Sequence, residues 1–215
     1  MSCRLARGLP LAAALVLAGC GGGTKPATTT SSAAGCTPVS APAGSARTEP
    51  KPTQRLDPAK TYDVTMQTNC GSFTIRLDVK TSPATTASFV SLVRKKYFDG
   101  TVFHRIAPGF VIQGGDPTGT GRGGPGYRTV DPPPRSTRYT HGLVAMAKSP
   151  AELRGTSGSQ FFVMTADSAL APDYAVLGKV VKGLAVVDRV GRLGDANEQP
   201  TQTVEIEHAT VSVHP

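Results

Sequence analysis

From residue 61 onward, glycine and proline cut the chain into short apolar runs, and that punctuation most constrains how it can fold. The runs are 101–106, 110–113, 143–147, 161–165, 175–180 and 203–213. Most are too short for an ordinary helix and of the right length for strands. Before them, 62–68 alternates roughly, and 72–78 alternates clearly with Phe73, Ile75 and Leu77 on one face. Asn69-Cys70-Gly71 between them predicts a hairpin. Only two helices are expected. Ser82-Pro83 reads as a helix start, followed by an apolar stripe of Phe89, Val93 and Tyr97 with Val90 beside it. Leu184, Val187 and Val190 form a second, shorter stripe. Many short strands with two helices predict a mainly β fold, an antiparallel barrel or sandwich.

The first 60 residues differ in kind. Arg4 and Arg7 precede an apolar stretch at 9–18, which is too short to span a bilayer core of roughly 30 Å as a helix. A basic start and a short apolar core predict a secretion signal over residues 1–19. The stretch ends in Leu17-Ala18-Gly19-Cys20, which resembles the lipobox of bacterial lipoproteins. That resemblance implies cleavage before Cys20 and lipid attachment to its thiol, with the protein held on the outer side of the cell membrane. Residues 20–60 are rich in Gly, Ser, Thr, Ala and Pro, and are expected to form a flexible tether ahead of a folded domain at 61–215.

Export changes how the cysteines read. Cys36 and Cys70 either form a disulfide outside the cytoplasm or stay as two free thiols. No C-x-x-C pair or His-rich cluster suggests zinc. The formal charge is +8, and without residues 1–19 there remain 21 basic and 15 acidic side chains. They are scattered, with Arg94-Lys95-Lys96 the longest run, so neither a nucleic-acid module nor a basic stripe is expected. Gly119, Gly121 and Gly124 match G-x-G-x-x-G, but Pro125 and Gly126 follow where a helix should open; a surface loop is expected. Ser157 and Ser159 lie in no nucleophile elbow. His104, His141, His208 and His214 show no metal spacing.

Three ordered blocks point further. Phe103-His104-Arg105-Ile106-Ala107-Pro108-Gly109-Phe110-Val111-Ile112-Gln113-Gly114-Gly115-Asp116 resembles the signature of the cyclophilins. Gly142 to Ala147 with Gly158-Ser159-Gln160-Phe161-Phe162 is similar to a second family block, and Tyr174 to Val180 to a third. The resemblance covers roughly residues 61–213. It implies an eight-stranded antiparallel β-barrel capped by two α-helices, and a peptidyl-prolyl cis-trans isomerase that needs no cofactor or metal. It carries catalytic roles to Arg105, Phe110 and Gln113. It carries substrate binding to Val111, Met146, Ala147, Gln160, Phe162, Leu170 and Tyr174. The chain departs from common family residues at Val111 (often Met), Lys148 (often Asn), Ala169 (often Trp) and Tyr174 (often His).

The implied partners are proline-containing peptides, unfolded or exported proteins, and a membrane reached through the lipid anchor. No nucleic acid is expected, and a monomer is. A non-catalytic peptide-binding or chaperone lipoprotein competes with the enzyme, and so does a structural or adhesive lipoprotein. Intact Arg105, Phe110, Gln113 and Phe162 favour the enzyme.

Overall fold

The computed structural model describes residues 35–215. The expected signal at 1–19 and the expected lipid attachment at Cys20 lie outside these residues. The hairpin forms as β1 (Thr61–Thr68) and β2 (Gly71–Leu77), and Gly71 takes a φ of 110° at its turn. Helix α1 (Pro83–Arg94) follows. Then come β3 (Thr101–Val102), β4 (Arg105–Ala107), β5 (Val111–Gly114), β6 (Thr129–Val130), β7 (Leu143–Met146), β8 (Thr156–Ser157) and β9 (Phe161–Met164). Strand β10 (Val176–Lys182), helix α2 (Leu184–Gly191) and strand β11 (Glu205–His214) complete the order. No helix among the described residues is long and apolar enough to cross a membrane.

Nine strands form one sheet in the order β3-β11-β1-β2-β10-β7-β9-β5-β4. Its two ends are halves of one run, broken only at Phe103 and His104. Strand β3 bonds to β11, and β4 bonds to β5. The run therefore pairs on both sides and curls the sheet on itself, so the nine strands act as eight staves. Closure leaves no unpaired edge. The small β6–β8 pair was not foreseen, because two-residue strands carry no periodicity.

Alternation sorts side chains to the two faces. Val64, Met66, Phe73, Ile75, Ile106, Ile112, Val144, Phe161 and Val163 point into the barrel and are buried. Phe161 meets Phe89 of α1 edge-on at 5.5 Å and Phe103 at 6.0 Å between ring centroids. Val187 and Val190 of α2 join the same core. Ser82 stands at the start of α1, but its hydroxyl makes no cap bond. The Thr85 N–H instead donates to the Asp131 carboxylate at 2.6 Å, a cap supplied from 46 residues away.

The expectation of a flexible tether as far as residue 60 does not hold for 36–57, which run along the domain without regular structure. Cys36 and Cys70 are disulfide-bonded. Backbone N–H groups of Thr37, Ser45 and Glu49 donate to the carbonyls of Asn69, Pro117 and Pro125 at 2.8, 2.9 and 2.9 Å. Arg47 donates to the carbonyls of Tyr97 and Asp99, and Glu49 pairs with Lys95 at 2.6 Å. Leu56 packs against the core. Composition predicted disorder because the strap is poor in apolar residues. Its backbone donors find acceptors on the loops of the barrel, and a covalent bond ties down one end.

Candidate active site

The sheet register builds the site on the outer face of the barrel. Arg105 lies opposite Gln113, Gln113 opposite Phe162, and Phe162 opposite Ala145. In the next outward row, Ala107 faces Val111 and Val111 faces Met164. Ala107, Val111, Tyr139, Ala145, Phe162 and Met164 form a second apolar cluster, with Phe110, Ala147, Leu170 and Tyr174 packed against it. Arg105, Phe110, Val111, Gln113, Ala147, Lys148, Phe162, Leu170 and Tyr174 enclose a cavity of about 290 Å³.

Most residues that the sequence pointed to meet in this cavity, but Met146 does not. It pairs with Phe161 across β7 and β9, so alternation turns it into the barrel, where it is fully buried in the main core. Its assignment to substrate binding is corrected on that ground. Gln160 lines a neighbouring cavity of about 380 Å³, together with Gly121, Arg122, Gly123, Arg128 and Glu152.

A chain of polar contacts joins the two cavities. Arg105 Nη1 donates to Gln113 Oε1 at 3.1 Å, and Gln113 Nε2 donates to Gln160 Oε1 at 3.2 Å. Gln160 Nε2 then donates to the Gly123 carbonyl at 2.9 Å. The Arg105 guanidinium carbon lies 5.8 Å from the centre of the Phe110 ring. The glycine-rich stretch after Asp116 is a loop with no helix, as the following Pro125 and Gly126 foretold. Asp116 organises it by accepting from Thr118 N–H and O–H at 2.7 and 2.8 Å and from Gly123 N–H at 3.1 Å. Burial works to raise the Asp116 carboxyl, but those donors outweigh it and hold it below its usual range. His104 turns both ring nitrogens into buried space with no partner, and burial lowers its imidazole below the ordinary value.

The far wall is held by Tyr139. Its hydroxyl donates to the Tyr174 carbonyl at 2.7 Å and accepts from the Tyr174 N–H at 3.0 Å. The Tyr174 ring meets Phe162 edge-on at 5.4 Å. Lys148 lies at the rim between the cavities with its side chain only 4% exposed. Its ammonium pairs with Asp173 at 2.6 Å and lies 5.7 Å from the centre of the Tyr174 ring. Tyr139 and Glu152 escaped the sequence reading, because nothing local ties them to the cavities. Lys148 was visible only as a departure from family usage. No group of three or more His, Cys, Asp or Glu suited to a metal ion occurs among the described residues.

The geometry defines a class: a closed β-barrel with a cavity on its outer face, lined by apolar side chains beside a guanidinium held in place. Comparison with known proteins gives that class its name. The profile described as cyclophilin type peptidyl-prolyl cis-trans isomerase/CLD matches residues 63–211. The chain belongs to this family, whose reaction is rotation about the peptide bond before proline. A peptidyl-prolyl cis-trans isomerase of Arabidopsis thaliana is 37% identical over 150 residues, covering 67% of this chain and 90% of its own length. Peptidyl-prolyl cis-trans isomerase A of Mycobacterium tuberculosis is 38% identical over 175 residues, covering 72% and 94%. A crystal structure of a Cryptosporidium parvum cyclophilin type isomerase superposes with a TM-score of 0.66 at 30% identity, covering 72% of this chain and 99% of that one. A second structure of it, in the presence of the dipeptide Ala-Pro, gives 0.64 at 29% identity, covering 70% and 98%.

Proposed function

We propose that the chain is a lipid-anchored prolyl isomerase in which Arg105 stabilises the twisted peptide bond while the apolar side chains of the 290 Å³ cavity hold the proline ring. The barrier to rotation is about 18–20 kcal/mol, because resonance gives the C–N bond partial double-bond character. Twisting breaks that resonance and makes the proline nitrogen pyramidal and basic. A guanidinium that donates to this nitrogen or its surroundings binds the twisted state better than the planar one. Arginine stays charged at any working pH, so no proton transfer is needed. The planar amide is more polar than the twisted one, so a cavity lined by Phe110, Val111, Phe162 and Leu170 also favours the transition state.

A charge-assisted hydrogen bond contributes roughly 1.5–3 kcal/mol, or about 10- to 200-fold in rate. Arg105 therefore supplies part of the acceleration, and alignment of the peptide in a water-poor cavity supplies the rest. The observation that carries this reading is the cavity with Arg105 in its lining, held by Gln113. Substrates are proline-containing peptides. The implied lipobox at Cys20 and the Cys36–Cys70 disulfide both support action outside the cytoplasm on exported proteins.

A protease-coupled assay on an Ala-Pro peptide tests the chemistry. Arg105→Ala is expected to lower kcat/KM by about 10- to 200-fold without changing the melting temperature; an unchanged rate overturns the role of Arg105. Cys20→Ser is expected to move the protein from the membrane fraction to the soluble one. Continued attachment overturns the anchor.

A further inference from the structure

The guanidinium of Arg105 has a second partner, which comes from the opposite end of the domain's sequence. Glu198 Oε2 accepts from Arg105 Nε at 2.6 Å. Glu198 lies in the turn between α2 and β11, and that turn is built to hold it. Asp195 Oδ1 accepts from the N–H groups of Asn197 and Gln199 at 2.8 and 2.9 Å. Asp195 N–H donates to the Gln199 carbonyl, and Glu198 N–H to the Asp195 carbonyl, at 2.9 and 3.0 Å. The turn then docks on β4, where Ile106 N–H donates to the Glu198 carbonyl at 2.9 Å. Glu198 itself takes a φ of 62°, the left-handed region that a side chain other than glycine or asparagine seldom adopts.

Stability does not account for this arrangement. The side chains of Arg105 and Glu198 are 33% and 45% exposed, and exposed ion pairs contribute little to folding. Orientation does account for it. With Nε held by Glu198 and Nη1 by Gln113, the guanidinium plane is fixed at two points above Phe110. Its remaining N–H groups stay available to a peptide in the cavity. Glu198 does not line the cavity that takes the ring; it borders a shallower groove on the other side of Phe110.

We propose that Glu198 is a positioning residue, which aligns the Arg105 guanidinium with the twisted bond before substrate arrives. The proposal rests on Arg105 as the catalytic group. Misplacing a catalytic group by about 1 Å can cost on the order of 100-fold. Because Gln113 still holds the other edge, the loss here is smaller.

Glu198→Ala is expected to lower kcat by roughly tenfold and leave KM within about twofold. Glu198→Gln keeps an acceptor oxygen at the same reach, so it retains most of the lost rate. In an Arg105→Lys background, which still carries charge but lacks the planar fork, Glu198→Ala is expected to have no further effect on kcat. The Arg105 Nε–H resonance, followed by NMR, is expected to move in Glu198→Ala, while the Ile106 amide stays in place and so reports an intact turn.

An unchanged kcat in Glu198→Ala overturns the proposal. So does an equal loss in the Arg105→Lys background, or a displaced Ile106 amide, either of which would mean a purely structural role. If Arg105→Ala itself costs nothing, the assignment of Arg105 fails instead, so the two failures are distinguishable.

Discussion

Reducing the Cys36–Cys70 bond should destabilise the domain and free only the first part of the strap. The two cysteines are 34 residues apart. In the chain-entropy description, cross-linking a loop of that length removes about 3–4 kcal/mol of conformational freedom from the unfolded state. For a domain of this size each kcal/mol shifts the melting temperature by about 2–4 °C, so reduction should lower it by roughly 10 °C. The native contacts say where the chain then loosens. Thr37 depends on the bond beside it, since it meets Asn69 next to Cys70. Ser45, Arg47 and Glu49 hold to Pro117, Tyr97, Asp99 and Pro125 through contacts of their own. Thermal melting with and without reductant, combined with amide hydrogen exchange, reads both effects. Mass spectrometry after alkylation confirms two free thiols. An unchanged melting temperature in the reduced protein would refute the entropic reasoning. Equal loss of protection at Thr37, Ser45 and Glu49 would refute the independent docking of the strap.

Three further outcomes are expected. Tyr139→Phe leaves the Tyr174 N–H and carbonyl without their partner, and should cost about 1–3 kcal/mol in denaturant unfolding as well as raise KM through a looser wall. Asp131→Ala removes the cap of α1 and should lower stability by about 0.5–2 kcal/mol, whereas Ser82→Ala should cost less because its hydroxyl makes no cap bond. His104 is lowered in the folded state by burial, so the unfolded chain takes up its proton first as pH falls. Its contribution is present above the unfolded value of about 6.5 and is lost as pH falls from there through the folded value. The free energy of unfolding measured across that range should fall as pH falls, and His104→Gln should reduce that dependence.

Much of the fold was legible because it depends on local alternation and turn chemistry. The hairpin around Asn69-Cys70-Gly71 and the alternating 72–78 run are readable from one strand at a time, and so are both helical stripes. Arg105 and Gln113 were legible only through the resemblance, whose first block carries both, and the register then sets them opposite each other. Met146 was misread because its motif neighbour Ala147 lines the cavity, and position within a motif does not say which face of a strand a residue takes. The strap was misread because its binding rests on backbone hydrogen bonds, which any composition can make.

The sequence by itself determined most of the strands, both helices and the family, because each is written in residues close together in the chain, and the resemblance then named the apolar residues around Arg105. Only the tertiary structure decided what stands around that arginine. Closing the barrel brings Glu198 to it from 93 residues away and sets Gln160 against the glycine-rich loop. The same folding takes Met146 inside the barrel and lays residues 36–57 against its loops. Those contacts come from register, from closure of the sheet and from one disulfide, and such long-range geometry leaves no periodic trace in the chain.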